Sequence, residues 1–306
     1  MLKAAFIALS ENRSLRHLAE SSSIGHRVSG RFVAGTTIQD ALRATEETNA
    51  LGMSVSIDNL GENVTNAGEA ERSAKLYHEL LDRITERRLD ANVSLKLTHM
   101  GFDVDQRLAT DIVSGLVEHA RHSQNFVRVD MEGSPYTQRT LNLVQSLHSQ
   151  NGNRDRVGAV IQAYLRRSED DVRNLTNEGI RIRLCKGAYK EPAEIAFPAK
   201  SDVDASYIKL MKILLKSGIY HGIATHDEKM IEATIRFAHA EKIPTSAFEF
   251  QMLYGIRRDL QRQLVKQGWR MRVYIPFGTE WYPYFMRRLA ERPANALFVA
   301  RNLFRK

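Results

Sequence analysis

The sequence predicts an α/β protein folded as a (β/α)8 TIM-like barrel with extra N-terminal helices. Three observations predict it. Short β-rich segments and periodic helical stretches alternate eight times along the chain. Such alternation calls for parallel strands, because each crossover between them uses a helix. The eight units fill about 250 residues, the usual size of a closed (β/α)8 barrel. Finally, no Pro-, Gly- or Ser-rich linker interrupts the 306 residues. One barrel domain over 51–306 is therefore expected, with 1–50 as helices packed on it.

In order, the first strand is expected at Ser54–Asp58, where Val55 and Ile57 alternate with Ser54, Ser56 and Asp58, and helix Ala70–Arg88 follows. Val93–Thr98 sets Val93, Leu95 and Leu97 against Ser94, Lys96 and Thr98 before helix Asp105–His122. Val127–Glu132 alternates Val127, Val129 and Met131 with Arg128, Asp130 and Glu132, then runs toward helix Thr137–Ser149. Strand Val157–Gln162 precedes helix Ser168–Glu178, and Ile180–Cys185 opposes Ile180, Ile182 and Leu184 to Arg181, Arg183 and Cys185 before helix Val203–Lys216. Gly222–Thr225 is followed by Glu228–Glu241, and Phe248–Gln251 by Ile256–Lys266. The last strand, Met271–Tyr274, leads into helix Trp281–Arg292.

Period-two alternation assigns each set of side chains to one face of the sheet. Parallel strands covered on both faces ordinarily read as continuous apolar runs, so this chain departs from the rule. An antiparallel sheet with one wet face would show the same alternation, but the intervening helices argue against it. The apolar set is therefore expected to pack on the helices and the polar set to face the lumen. That lumen would hold Lys96, Arg128, Arg183 and Arg272 beside Asp58, Asp130, Glu132 and Glu249. The signs balance, as buried charges must. An interior of this kind suits a cofactor or a substrate better than a packing core.

Composition narrows the class. Hydrophobic residues make up 43% and charged residues 26%, which excludes a disordered or fibrous chain. A single cysteine, Cys185, excludes an internal disulfide framework and fits a reducing compartment. No apolar run is long enough to span a bilayer, and the start at Met1–Leu9 lacks a convincing cleavage site, so no signal peptide is expected. The net charge of +8 is compatible with an anionic ligand, an anionic membrane surface or nucleic acid. No nucleic-acid recognition motif accompanies it, so no such partner is expected.

Chemistry in a (β/α)8 barrel sits at the strand C-termini, and three readings of those residues compete. Asp58, Asp130, Glu132, His226 and Glu249 could supply a metal-dependent hydrolase or isomerase, although four cations on the same face would repel the ion. Lys96 or Lys186 could form a Schiff base if burial lowered its pKa. A cationic site for a polyanionic cofactor and a carboxylate substrate uses the Lys and Arg excess directly. Lys186-Gly187-Ala188 suits phosphate binding, since small residues let backbone N–H groups approach. On the last helix, Arg287 and Arg288 can present planar guanidinium forks to a carboxylate.

Six strings occur in one order: Val-Ser-Leu-Lys-Leu-Thr, Val-Arg-Val-Asp-Met-Glu, Arg-Leu-Cys-Lys-Gly-Ala-Tyr, Ala-Thr-His-Asp, Phe-Glu-Phe-Gln-Met-Leu-Tyr-Gly and Tyr-Phe-Met-Arg-Arg-Leu-Ala-Glu. Together they resemble the proline dehydrogenase family over roughly residues 50–300. The resemblance implies a distorted (β/α)8 barrel that binds FAD and no metal. It implies oxidation of L-proline to Δ1-pyrroline-5-carboxylate by hydride transfer from proline C5 to flavin N5, the first step of degradation to glutamate. Neither an aldehyde dehydrogenase domain nor a DNA-binding segment is seen, so the single-function form is the one resembled.

Position by position, Asp130 and Arg183 match catalytic residues, and Lys96, Arg287 and Arg288 match a clamp on the proline carboxylate. Tyr189, Leu253, Tyr274 and Tyr284 match the walls around the pyrrolidine ring, with Tyr274 crowding the edge where a hydroxyl would sit. Met131, Gln162, Arg183, Lys186, Gly187, Ala188, Thr225, His226 and Glu291 match FAD-binding positions. After Tyr189, where some relatives carry an aromatic residue, this chain has Lys190. The resemblance also implies a quinone acceptor. With it come a cytoplasmic location and a peripheral contact with the inner membrane face, compatible with the positive charge.

Overall fold

The computed structural model describes residues 30–291 apart from Asn63 and Asn151; the side chains of 287–291 lie outside the described part. Eight strands form a closed barrel in sequence order: β1 (Ser54–Asn59), β2 (Ala91–Leu95), β3 (Val127–Val129), β4 (Val157–Gln162), β5 (Arg181–Cys185), β6 (His221–Ala224), β7 (Phe248–Leu253) and β8 (Met271–Phe277). All neighbours run parallel, and β1 closes on β8 with Ser54 opposite Arg272 and Asn59 opposite Phe277. Closure leaves no unpaired edge, which matters for a parallel sheet whose backbone groups have no water to turn to.

The helices wrap the outside because their apolar residues recur on one face. α1 (Ile38–Asn49) precedes the barrel, begins with a reciprocal capping box between Thr37 and Asp40, and packs against β1 and β8. Residues 1–29 of the expected N-terminal helices lie outside the described part. α2 (Ala67–Glu86) buries Tyr77, Leu80, Leu81 and Ile84, a three-and-four spacing that forms one stripe. Each such leucine contributes about 1.5–3 kcal/mol on burial. α3 (Gln106–His122) starts at Asp105, whose carboxylate accepts the Arg107 N–H, while α4 (Ser134–Ser149) starts at Gly133, which has no side chain to cap it. α5 (Ser168–Asn177), α6 (Lys200–Lys216), α7 (Glu228–Ala240), α8 (Arg258–Lys266) and α9 (Trp281–Glu291) complete the ring.

The alternation read from the sequence is realised. Val55, Ile57, Val93, Leu95, Val127, Val129, Ile182 and Leu184 are fully buried in one hydrophobic cluster with the helix stripes. Their polar neighbours turn inward and bond across the barrel, as the Arg183–Ser56 contact between β5 and β1 shows.

Two strands are shorter than expected. β2 ends at Leu95, and Thr98–Met100 forms a turn of 3-10 helix; β3 is reduced to Val127–Val129. Beyond these ends the Asp130 N–H still donates to the Leu95 carbonyl at 2.8 Å, and the Glu132 carboxylate accepts the Thr98 N–H at 3.1 Å and the Thr98 hydroxyl at 2.6 Å. Lys96, Asp130, Met131 and Glu132 stand in loops.

Candidate active site

The lumen has a floor and a mouth. On the floor, near the strand N-termini, Arg272 pairs with Glu249 at 2.7 Å and also donates to the Val55 carbonyl. Gln251 and Tyr220 donate to the same carboxylate at 2.7 and 2.9 Å. Burial opposes ionisation of Glu249, but Arg272 and these donors outweigh it and hold its pKa below the usual carboxylate value. The crowding is possible because Gly222 lies opposite: a Cβ there would come within 2.2 Å of the Gln251 amide.

Arg128 departs from the expected charge pairing. Its guanidinium donates to the carbonyls of Ala159 at 2.9 Å and Arg181 at 2.6 Å, and lies over the Phe126 ring. Burial first, then the nearby Arg183 and Arg181, push its pKa well below the ordinary arginine value. A backbone carbonyl carries only a partial charge, so it stabilises the cation less than a carboxylate would.

Arg183 rises from β5 to link floor and mouth. It donates to Gln251 at 2.6 Å, to Asp130 at 2.6 Å, to Ser94 at 3.1 Å and to Ser56 at 3.2 Å. Asp130 also accepts from Ser94 at 2.8 Å and from the Tyr274 hydroxyl at 2.9 Å, and the guanidinium stacks 5.2 Å from the Tyr274 ring centre. Burial and the adjacent Asp130 keep the Tyr274 phenol protonated, with its pKa far above the usual one.

Beside this cluster, Lys96 lies 3.3 Å from Asp58 and 4.0 Å from Glu62. Burial works against its ammonium, but the charges of Asp58, Glu62 and Asp130 prevail and raise its pKa. Asp58 is raised in turn, by burial above all. A lysine so held is a fixed cation and a poor Schiff-base nucleophile.

The other residues singled out from the sequence stand at the ends of β4 and β7, in the loops after β3, β5 and β6, or on α9. Gln162 donates to the Glu132 carbonyl at 3.0 Å and accepts the Ala188 N–H at 3.4 Å. Met131 is buried; Leu253, at the end of β7, is partly buried beside the cluster that holds Tyr284. His226 accepts the Leu253 N–H on Nε2 at 2.9 Å, which places the ring proton on Nδ1. Thr225 accepts the Asp227 N–H at 3.1 Å. Lys186 is held by Asp204 at 2.5 Å and Asp227 at 2.7 Å. Gly187 has φ 117° and lies against the Tyr164 ring, where a Cβ would approach to 2.2 Å, so only glycine allows this turn. Tyr189 stands at the surface of the same loop, 39% exposed. Arg287, Arg288 and Glu291 lie on α9, with side chains outside the described part.

The acidic residues offered for a metal are dispersed among these partners. Glu249 belongs to Arg272 on the floor, Glu132 to Thr98, and His226 to the Leu253 amide. Among the described residues no group of three or more His, Cys, Asp or Glu is placed to hold a metal ion.

Some participants were not singled out. Ser56, Ser94 and Gln251 belong to the polar set of the alternation, but as uncharged residues they were not assigned to the site. Tyr77 could not be foreseen: it sits within the apolar stripe of α2, yet its hydroxyl donates to the Ser94 carbonyl at 2.8 Å and toward Asp58 at 3.2 Å while accepting the Asn59 N–H.

Fold and site together define a (β/α)8 barrel whose charged lumen opens among the strand C-termini, where such barrels do their chemistry. A family model for proline dehydrogenase matches residues 41–301, and the chain belongs to the proline dehydrogenase family. It is 40% identical over 308 residues to proline dehydrogenase 1 of Bacillus subtilis (strain 168), with 100% of both chains covered. It is 37% identical to proline dehydrogenase of Deinococcus radiodurans, covering 100% of this chain and 98% of that one. Among solved structures, proline utilization A from Bdellovibrio bacteriovorus inactivated by N-propargylglycine matches with TM-score 0.83 at 26% identity. That match covers 95% of this chain and 36% of the longer one. The chain is thus an oxidoreductase of proline catabolism in a flavin-dependent family, and the hydrolase or isomerase reading is withdrawn.

Proposed function

We propose that this chain oxidises L-proline to Δ1-pyrroline-5-carboxylate at the mouth of the barrel, with FAD as the hydride acceptor. The observation that carries the reading is the joined network of Lys96 and Asp58 with Arg183, Asp130 and Tyr274. The donors present suit a flavin dinucleotide. Arg183 and the Nδ1–H of His226 are hydrogen-bond donors, and Lys186-Gly187-Ala188 offers small residues beside a cation at the end of β5. Met131, Gln162, Arg183, Lys186, Gly187, Ala188, Thr225, His226 and Glu291 would hold it. Bound there, FAD supplies a two-electron acceptor for the hydride leaving proline C5.

The remaining work belongs to side chains. Lys96, Arg287 and Arg288 hold the substrate carboxylate, and Asp58 keeps Lys96 charged and in place. Tyr189, Leu253, Tyr274 and Tyr284 wall the ring. Fixing the ring in a reactive pose removes an entropic barrier, so the carboxylate clamp contributes to rate as well as to binding. Arg183, oriented by Asp130, stabilises negative charge as it develops beside it. Anaerobic proline should bleach the visible flavin bands of the purified protein. A preparation that stays colourless after incubation with FAD, or a yellow one that proline leaves unbleached, refutes the proposal.

We further propose that the electrons pass to a membrane quinone from a cytoplasmic position at the inner face. No described helix is long and apolar enough to cross a membrane, so contact would be peripheral. The charge of +8 favours an anionic leaflet. Sedimentation with anionic vesicles should carry the protein down and neutral vesicles should not; equal behaviour removes the contact.

A further inference from the structure

The connection from β5 to α6 carries Lys186, Gly187, Ala188 and Tyr189. Its return half is laid against the loop after β4. The Arg166 N–H donates to the Ile195 carbonyl and the Phe197 N–H to the Tyr164 carbonyl, both near 2.9 Å, and Leu165 bridges Ala196. At the tip, beyond Tyr189, the tie is different and reaches another element. Glu191 accepts the Ser134 N–H at 2.7 Å and the Ser134 hydroxyl at 2.6 Å.

Ser134 is the first residue of α4, and the cap residue before it is Gly133, which makes no side-chain cap bond. The opening N–H groups of a helix need acceptors, and a carboxylate there also meets the positive end of the helix dipole. Glu191 thus provides, from 57 residues along the chain, the cap that Gly133 cannot. The cap ties the Tyr189 loop to the segment that follows Asp130, Met131 and Glu132. Tyr189 stands two residues before Glu191 in the same loop, so a tie at Glu191 restrains it.

We propose that Glu191 is a positioning residue for proline: by capping α4 it latches the β5–α6 loop and holds Tyr189 against the substrate. The proposal rests on the assignment of Tyr189 to the proline site. When the latch is lost, the loop spends part of its time away from the mouth, and apparent affinity falls by the fraction of molecules still closed. Turnover of molecules that have closed on proline is little changed, so the loss falls on KM.

The test compares Glu191→Ala, Glu191→Asp, Ser134→Ala and Tyr189→Ala in the flavin-loaded enzyme, with steady-state kinetics and trypsin cleavage after Lys190. Glu191→Ala should raise the proline KM about twofold to thirtyfold, the equilibrium worth of one cap, with kcat within about twofold. The loop should be cut faster, with proline slowing the cut. Glu191→Asp should recover part of the loss, and Ser134→Ala in the Glu191→Ala background should add little. A Glu191→Ala enzyme of lowered melting temperature but unchanged KM and cleavage rate would show a merely structural cap and overturn the proposal. If Tyr189→Ala leaves KM unchanged, the assignment of Tyr189 fails instead; if it raises KM while Glu191→Ala does not, the latch alone fails.

Discussion

The floor and the mouth of the barrel are built from the same residue types and differ in what those residues leave available. On the floor, Glu249 is surrounded by Arg272, Gln251 and Tyr220 within 3 Å, and Arg272 spends another donor on a backbone carbonyl. The Glu249 carboxylate is thus satisfied by partners on the floor, and Gln251 alone passes the network on, by accepting from Arg183. At the mouth, Lys96 meets Asp58 at the longer distance of 3.3 Å, and Arg183 is shared among four side chains that fix its direction. A buried charge that is completely paired serves the fold, whereas one oriented toward an opening can serve a ligand.

Four variants test this contrast, in order of expected size. Glu249→Ala leaves Arg272 buried without its carboxylate and should cost on the order of 3–5 kcal/mol of stability. Chemical denaturation reads this loss, and proline KM should hardly move in the folded fraction. Replacing both partners, as Glu249→Leu with Arg272→Met, should restore most of it, because a buried ion pair is often worth no more than an apolar pair of similar volume. Arg183→Met should act oppositely, lowering kcat with proline by about 10²–10³-fold, the scale of losing one oriented charge donor. Tyr274→Phe removes one hydrogen bond to Asp130 and should lower kcat/KM by about fivefold, equivalent to about 1 kcal/mol.

The smallest effect concerns pH. His221, on β6, accepts the Ile182 N–H on Nδ1 at 3.0 Å and meets Ser217 at 2.9 Å. Burial, reinforced by Arg128 and Arg181, lowers its pKa to about 3, and burial beside Lys96 lowers that of His99 to about 4. Both are neutral in the folded protein at pH values where the unfolded chain binds protons. Their contribution is complete above about pH 6.5 and drains away as pH falls toward 3. The denaturation midpoint should therefore drop with pH across that window, and His221→Gln should flatten the slope there.

Much of this was legible beforehand. The alternation of Ser54, Ser56 and Asp58 with Val55 and Ile57 fixed which face of β1 looks inward, since a strand has a period of two. The same reasoning placed Lys96, Arg183, Arg272 and Glu249 in the lumen, where they stand. It misjudged the partners. Arg128 was expected beside a carboxylate and bonds carbonyls instead, and Glu132 was expected beside a cation and bonds Thr98. Facing is a property of one strand, but pairing depends on the stagger between strands.

By itself the sequence determined the order of units, the inward face of each strand and the family, because local periodicity and short strings of residues carry that information. Only the tertiary structure decided that Tyr77 of an apolar helix stripe serves Asp58, that Lys186 sits between Asp204 and Asp227, and that Glu191 caps α4. These contacts join residues 18 to 57 positions apart. Barrel closure brings them together, and no local pattern records a distance that closure creates.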